Sequence, residues 1–289
     1  MTVLHEHYAL SNDVAIPKLG LGTWMIGNDA VVQAVKDAVA LGYRHIDTAQ
    51  AYANEAGVGE GIRRCGLPRE QIFLTTKLAA ELKSYDEAAA AIDGSLQKLG
   101  VDRIDLMLIH SPQPWRRFGD SDRFFEGNRE AWRALEDAYQ AGKLRAIGVS
   151  NFQTVDLDNL LSACQVRPMV NQVLAHISNT PAELIRYTQA QGILVEAYSP
   201  IAHGQLLKNQ QVSDMARRYG VSIPQLSIRY DLQLGLLPLP KTANPAHMKN
   251  NADVDFVISD SDMEVLQQLP TIEDYCEDRN MPVFGGKLS

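Results

Sequence analysis

The sequence predicts an α/β barrel, (β/α)8: eight parallel strands, each followed by a helix, closed into a ring. Two observations predict it. A strand-length apolar run followed by an amphipathic helical stretch recurs eight times, with short connections, as in a parallel sheet covered by helices. Several of the runs are apolar at every position, which suits strands buried between a barrel core and an outer layer of helices. Closure follows from the count of eight, since six or seven strands would point to an open sheet.

The elements read in order as follows. Tyr8 to Lys18 is polar and suits a hairpin, and Leu19 to Trp24 is the first strand. Asp29 to Leu41 places Val31, Val35, Ala38 and Val39 on one helical face. Tyr43 to Asp47 with Asn54 to Cys65, and Ile72 to Lys77 with Ser84 to Leu99, are the second and third strand–helix pairs. Asp105 to His110 is the fourth strand, followed by a longer loop and a helix at Phe125 to Ala141. Leu144 to Val149 with Thr154 to Ala163 make the fifth pair, and Val170 to Leu174 with Pro181 to Gln191 the sixth. Thr180 before Pro181 reads as a cap and first helical turn. Ile193 to Tyr198 is the seventh strand, trailed by two helical stretches, Gln210 to Tyr219 and Ile223 to Leu234. Leu236 to Leu239 is the eighth, and Pro245 to Asn250 opens the last helix. Residues 1–289 read as one domain, with 271–289 a C-terminal tail or loop expected to lie over the active site.

Composition bounds the function. With 45% hydrophobic and 21% charged residues, the 289-residue chain can bury a large core. Its net charge of -8, without a basic stripe, disfavours nucleic acid as a partner. Met1 to Ser11 lacks the apolar core of a secretory signal, and no run approaches the ~20 apolar residues of a membrane helix. Cys65, Cys164 and Cys276 have neither a pairing nor a metal-ligand pattern, so reduced thiols and a cytoplasmic location are expected. No metal-ligand spacing such as HExxH occurs, and no metal is expected.

Barrel enzymes place their chemistry at the C-terminal ends of the strands. Here those ends deliver Asp47, with Tyr52 five residues on, then Lys77, His110, Ser150–Asn151, Gln172, Tyr198–Ser199 and Lys241. The first four suit reduction of a carbonyl, where the oxygen needs a proton as hydride arrives. Tyr52 would give that proton, the Lys77 ammonium would lower the phenol's pKa, and Asp47 would pair with the lysine. His110 would orient the substrate oxygen. Taken singly these residues have plain readings: Asp47 a turn residue, His110 a core histidine, Ser150–Asn151 a helix start, Lys241 a surface charge.

The segments DTAQAYANE (from Asp47), TTKL (from Thr75), LIHSP (from Leu108), IGVSNF (from Ile147), AYSPIAHG (from Ala197) and PKTANPAHMKNN (from Pro240) occur in order along nearly the whole chain. Together they resemble the aldo-keto reductase family, in particular its bacterial 2,5-diketo-gluconate reductase-like and carbonyl reductase members. The resemblance implies NADPH-dependent reduction of aldehydes or ketones, with Asp47, Tyr52, Lys77 and His110 as the catalytic tetrad. It implies that Ser150, Asn151 and Gln172 bind the nicotinamide amide and that Tyr198 stacks on its ring. Ser199 onward would follow the pyrophosphate, Lys241 and Thr242 the 2′-phosphate, with Thr23, Asp47 and Asn251 also near the cofactor. The partner would be a small carbonyl compound, and the protein a monomer rather than an oligomer.

Departures carry expectations too. His247 stands where the family usually has a phosphate-gripping arginine, so discrimination for NADPH over NADH should be weakened. Ser111 follows His110 where tryptophan is common; the substrate pocket, read as Trp24, Tyr52, His110, Ser111 and Trp115, would then take its aromatic wall from Trp24 or Trp115. GLGTWMIG (from Gly20) lacks the G-x-G-x-x-G spacing of a dinucleotide loop and belongs to the first strand and its turn. Two other readings compete: a non-catalytic cofactor-binding regulatory subunit of the same fold, and a barrel isomerase or hydrolase.

Overall fold

The computed structural model describes residues 2–275, 280–286 and 288. Two short strands, β1 (His7–Ala9) and β2 (Ala15–Pro17), form an antiparallel hairpin. Eight parallel strands follow in sequence order: β3 (Leu21–Gly22), β4 (His45–Asp47), β5 (Phe73–Leu78), β6 (Leu106–Ile109), β7 (Ile147–Ser150), β8 (Val170–Leu174), β9 (Leu194–Tyr198) and β10 (Leu237–Leu239). A parallel bridge between Gly22 and Lys241 closes the ring, supported by Gly22 N donating to Pro240 O at 3.1 Å. The expected eight-stranded barrel is the observed one.

The first strand is shorter than its apolar run. At Thr23 the backbone N–H and the hydroxyl both turn onto Asp47 O, at 3.1 and 2.9 Å, and the chain leaves the sheet. Strand alternation sorts the core into layers. Leu106 and Leu108 of β6 join Phe73, Leu237 and Leu239 inside the barrel, where Leu10 and Ile16 of the hairpin join them. Met107 and Ile109 point the other way, into the large apolar layer shared with the helices.

The outer layer consists of α1 (Asn28–Ala40), α2 (Glu55–Arg63), α3 (Tyr85–Leu99), α4 (Phe125–Gln140), α5 (Thr154–Leu161), α6 (Ala182–Ala190), α7 (Gln210–Arg218), α8 (Ile223–Gln233), α9 (Pro245–Ala252) and α10 (Asp260–Gln267). On α2, Gly57 and Gly59 make close approach possible: a Cβ there would lie 2.0 Å from Asn28 O and Leu99 O respectively. None of the helices is long and apolar enough to cross a membrane, among the described residues.

Two local expectations are corrected. Thr180 does not cap α6; its hydroxyl is engaged by Tyr230 OH at 2.6 Å and by His176 O at 3.2 Å, and the helix starts after Pro181. A separate helix, α10, follows α9; Ser259 caps it by accepting from Asp262 N, and Met263 and Leu266 bury its inner face. Described residues of the tail pack at the barrel mouth. Ile272 N donates to Ser178 O at 3.0 Å, Tyr275 OH meets His176 Nε2 at 3.0 Å, and Tyr275 stacks on Phe284 at 4.6 Å. Cys276, within the tail, lies outside the described residues.

Candidate active site

A cleft of about 600 Å³ opens at the C-terminal ends of the strands. The deep polar groups reach it from the ends of several strands, so rigid sheet geometry sets much of their spacing. Asp47 ends β4, Lys77 lies near the end of β5, and His110 follows β6 directly. Tyr52 comes from the short 3-10 turn Gln50–Tyr52 that follows β4 and ends on Ala53 in the left-handed region.

These four form one cluster. Lys77 is fully buried and its Nζ donates to Asp47 Oδ1 at 2.6 Å, to Thr48 O at 2.9 Å and to Tyr52 OH at 3.3 Å. All three ammonium protons therefore have acceptors. The same nitrogen lies 4.9 Å from the centre of the Tyr52 ring. The His110 ring meets Tyr52 edge-on at 5.7 Å. His110 Nδ1 is sealed from solvent without a partner, so the ring addresses the cleft through its other edge.

The electrostatics differ in one respect from the sequence expectation. Burial dominates at Tyr52 and pushes the phenol above its ordinary value; the Lys77 charge pulls it down, and Asp47 adds to the rise. The net direction is upward, so the neighbouring ammonium does not lower this phenol below the normal range. Burial acts against the Lys77 ammonium too, but Asp47 and Tyr52 together outweigh it and hold Lys77 above its usual value. Burial, with the Lys77 charge second, keeps His110 well below the normal histidine range, so its ring is neutral at pH 7.

The opposite wall is a second network. Ser150 Oγ donates to Gln172 O at 2.9 Å; Asn151 Nδ2 donates to His110 O at 3.0 Å, and Tyr198 OH donates to Asn151 Oδ1 at 2.7 Å. Asn151 has a positive φ of 62°, which turns it off the end of β7 instead of into a helix; the start of α5 falls at Gln153 instead. Gln172 Nε2 donates to Asp47 Oδ2 at 3.0 Å and to Glu196 Oε2 at 2.7 Å, which joins this wall to the first cluster. Since the Asp47 carboxylate, paired with Lys77, can only accept, the amide's NH2 is committed inward and its oxygen is the atom left for the cleft.

Glu196 was not anticipated. It is fully buried on β9, its Oε1 has no partner, and burial followed by the Asp47 charge raises its carboxyl to about 8. The signal was a lone acid in the otherwise apolar run Leu194–Tyr198.

The other expected residues divide. Thr23, Trp24, Trp115, Ser199 and Lys241 line the cleft. Thr242, His247 and Asn251 lie past Lys241, on the following turn and on α9, outside the cleft wall; His247 is exposed and Asn251 buried. Ser111, expected in the substrate pocket, is fully buried; its hydroxyl accepts from Gln113 N at 3.3 Å, which takes it out of the cleft wall. The structure adds Met25, His203, Met281, Val283 and Phe284 to that wall. His203 lies 4.6 Å from the Phe284 ring and 5.4 Å from Trp24, and its Nε2 bonds Ser199 Oγ at 2.9 Å. Tail contacts of this kind leave no periodic mark in a sequence.

Comparison with known proteins agrees with this architecture. The model of the aldo/keto reductase family matches residues 18–270. The uncharacterized oxidoreductase YtbE of Bacillus subtilis is 44% identical over 275 residues, covering 93% of this chain and 94% of that one. Glyoxal reductase of the same organism is 42% identical, with 93% and 94% covered. A crystal structure of a Bombyx mori aldo-keto reductase in complex with NADP superposes with a TM-score of 0.82 at 34% identity, covering 91% of this chain and 92% of that one. A barrel with this polar cluster at its mouth, matched over most of its length by such relatives, is an oxidoreductase, and the chain belongs to the aldo/keto reductase family.

Proposed function

We propose that this protein reduces an aldehyde or ketone to the alcohol with NADPH, and that Tyr52 delivers the proton. The observation that carries the reading is the buried contact series Asp47–Lys77–Tyr52, with neutral His110 beside the phenol. A phenol held above its ordinary value keeps its proton at pH 7, and it can give that proton to an oxygen that becomes an alkoxide. The adjacent ammonium then stabilises the phenolate that remains. A neutral imidazole orients the carbonyl oxygen by donating a hydrogen bond, without protonating it prematurely.

The second wall fits a nicotinamide. The inward-turned amide of Gln172 leaves an acceptor for the NH2 of a carboxamide, and the Ser150 hydroxyl and Asn151 amide, bonded to Gln172 O, His110 O and each other, lie beside it. A reduced nicotinamide bound there supplies hydride to the carbonyl carbon. Tyr198 would cover one face of the ring, Ser199 would follow the pyrophosphate, and Lys241 would meet the 2′-phosphate; all three line the cleft. The Bombyx mori relative with NADP supports the choice of cofactor, and glyoxal reductase at 42% identity supports small carbonyl compounds as substrates.

Tyr52→Phe tests the reading. NADPH oxidation should proceed in wild type with a panel of aldehydes, dicarbonyls and 2-oxo esters, and fall by about 10²–10⁴ in the variant. NADPH binding, followed by protein fluorescence, should persist in both. Binding without turnover of any carbonyl in wild type would favour a regulatory cofactor-binding role instead.

A further inference from the structure

The loop from Ser111 to Phe124 has one short 3-10 turn, at Trp115–Arg117, yet it carries an indole to the cleft wall beside His110. Trp115 is only 9% exposed and meets the His110 ring edge-on at 5.2 Å, with Phe118 behind it at 5.9 Å. Helix or sheet does not hold it there. Two residues just beyond β5 reach across to hold it. Lys83 Nζ donates to Ser111 O at 2.9 Å and to Asn128 Oδ1 at 2.8 Å. Glu81 Oε1 accepts from Trp115 N at 3.3 Å. The loop is therefore tied at its first residue and at the tryptophan itself.

The tie is built, not incidental. Asn128, which Lys83 engages through its oxygen, donates with its nitrogen to Pro112 O at 2.9 Å and to Arg123 O at 3.2 Å, gathering both ends of the loop. The lysine stem runs against Gly127, where a Cβ would lie 2.7 Å from Lys83 Cβ, so α4 leaves room for it only because glycine stands there. Within the loop, Gln113 Nε2 donates to Asp120 O at 2.9 Å and Asp122 O at 2.6 Å. A loop without secondary structure samples many positions unless such bonds remove them.

The tryptophan faces an apolar set across the cleft: Trp24 and Met25 from the turn after β3, with Met281, Val283 and Phe284 of the tail. A flat group entering between these walls and His110 would stack or pack edge-on, whereas a methyl group would leave most of that surface wet. We propose that Lys83 and Glu81 are positioning residues that hold Trp115 as a wall of the substrate site, and that this wall selects carbonyl compounds bearing a flat, apolar substituent next to the reacting carbon. The proposal rests on the reading that this cleft reduces carbonyls.

The test uses two 2-oxoaldehydes that differ only in that substituent, phenylglyoxal and methylglyoxal, with NADPH. Wild type should favour phenylglyoxal in kcat/KM. Trp115→Ala should cut that preference about tenfold, a size expected of a lost aromatic wall. Lys83→Met should cut it about fivefold, carried by KM for phenylglyoxal rather than by kcat, and Lys83→Arg should restore most of it. Protein fluorescence titration should give the same NADPH Kd for Lys83→Met as for wild type. An unchanged preference in Trp115→Ala overturns the proposal. So does a Lys83→Met variant that loses both substrates in equal proportion, since that is what a purely structural bond would do. If wild type binds NADPH and turns over neither compound, it is the reductase reading that fails, which the wild-type control reveals before any variant is considered.

Discussion

The Lys77 ammonium donates to the Asp47 carboxylate at 2.6 Å, and the lysine is wholly out of reach of solvent. Paired and fully hydrogen-bonded, these charges tolerate burial; separated, either one would be left in a medium that cannot solvate it. Lys77→Met keeps the stem and removes the charge. It should destabilise the fold by about 3–5 kcal/mol, as expected when one partner of a buried pair is deleted. Turnover should fall as well, because Tyr52 loses the group that would stabilise its phenolate. Urea unfolding and NADPH oxidation measured together separate the two effects. A variant of unchanged stability would mean that Asp47 takes up a proton to compensate.

Glu196 makes a different demand. Its folded-state pKa is about 8 against an ordinary 4.5, so between those values the folded protein holds a proton that the unfolded chain has released. Stability from this group is therefore lost as pH rises from 4.5 to 8 and is level above, by up to ~1.4 kcal/mol per pH unit. Glu196→Gln retains the shape and an acceptor for Gln172 but cannot ionise. The variant should gain on wild type progressively from pH 5.5 to 8 in denaturant unfolding. A constant difference across that range would show that Glu196 does not titrate there.

Much of the fold was legible because burial on both faces of a strand writes itself as an apolar run, and β6, with Leu106, Met107, Leu108 and Ile109 all buried, is the clear instance. The polar residues at strand ends were legible for the complementary reason: Lys77 after an apolar strand has no obvious packing role. What could not be read was tertiary and non-periodic. Ser111 looked like pocket because it follows His110, yet its direction depends on a loop whose shape Lys83 and Asn128 set from other elements. Phe284 and Met281 reach the cleft only because the tail folds back over Trp24 and His203. The sign at Tyr52 also escaped, because the extent of burial decides it and the neighbouring lysine does not.

His247 on α9 is exposed and lies beyond Lys241, which does line the cleft. If the 2′-phosphate of NADPH is met by Lys241, it gains one compact point charge there. An arginine at 247 would add a permanent, forked cation able to grip two phosphate oxygens at once. Wild type should therefore favour NADPH over NADH by less than about a thousandfold in Kd, since a larger ratio requires over ~4 kcal/mol from a single phosphate. His247→Arg should tighten NADPH by about tenfold, equivalent to ~1.4 kcal/mol, and leave NADH nearly unaffected, because NADH has no phosphate for the new side chain to meet. Fluorescence titration of both cofactors against both proteins measures this directly. Equal tightening of the two would place the new guanidinium on a part of the cofactor that they share, and unchanged binding of both would place the phosphate out of reach of α9.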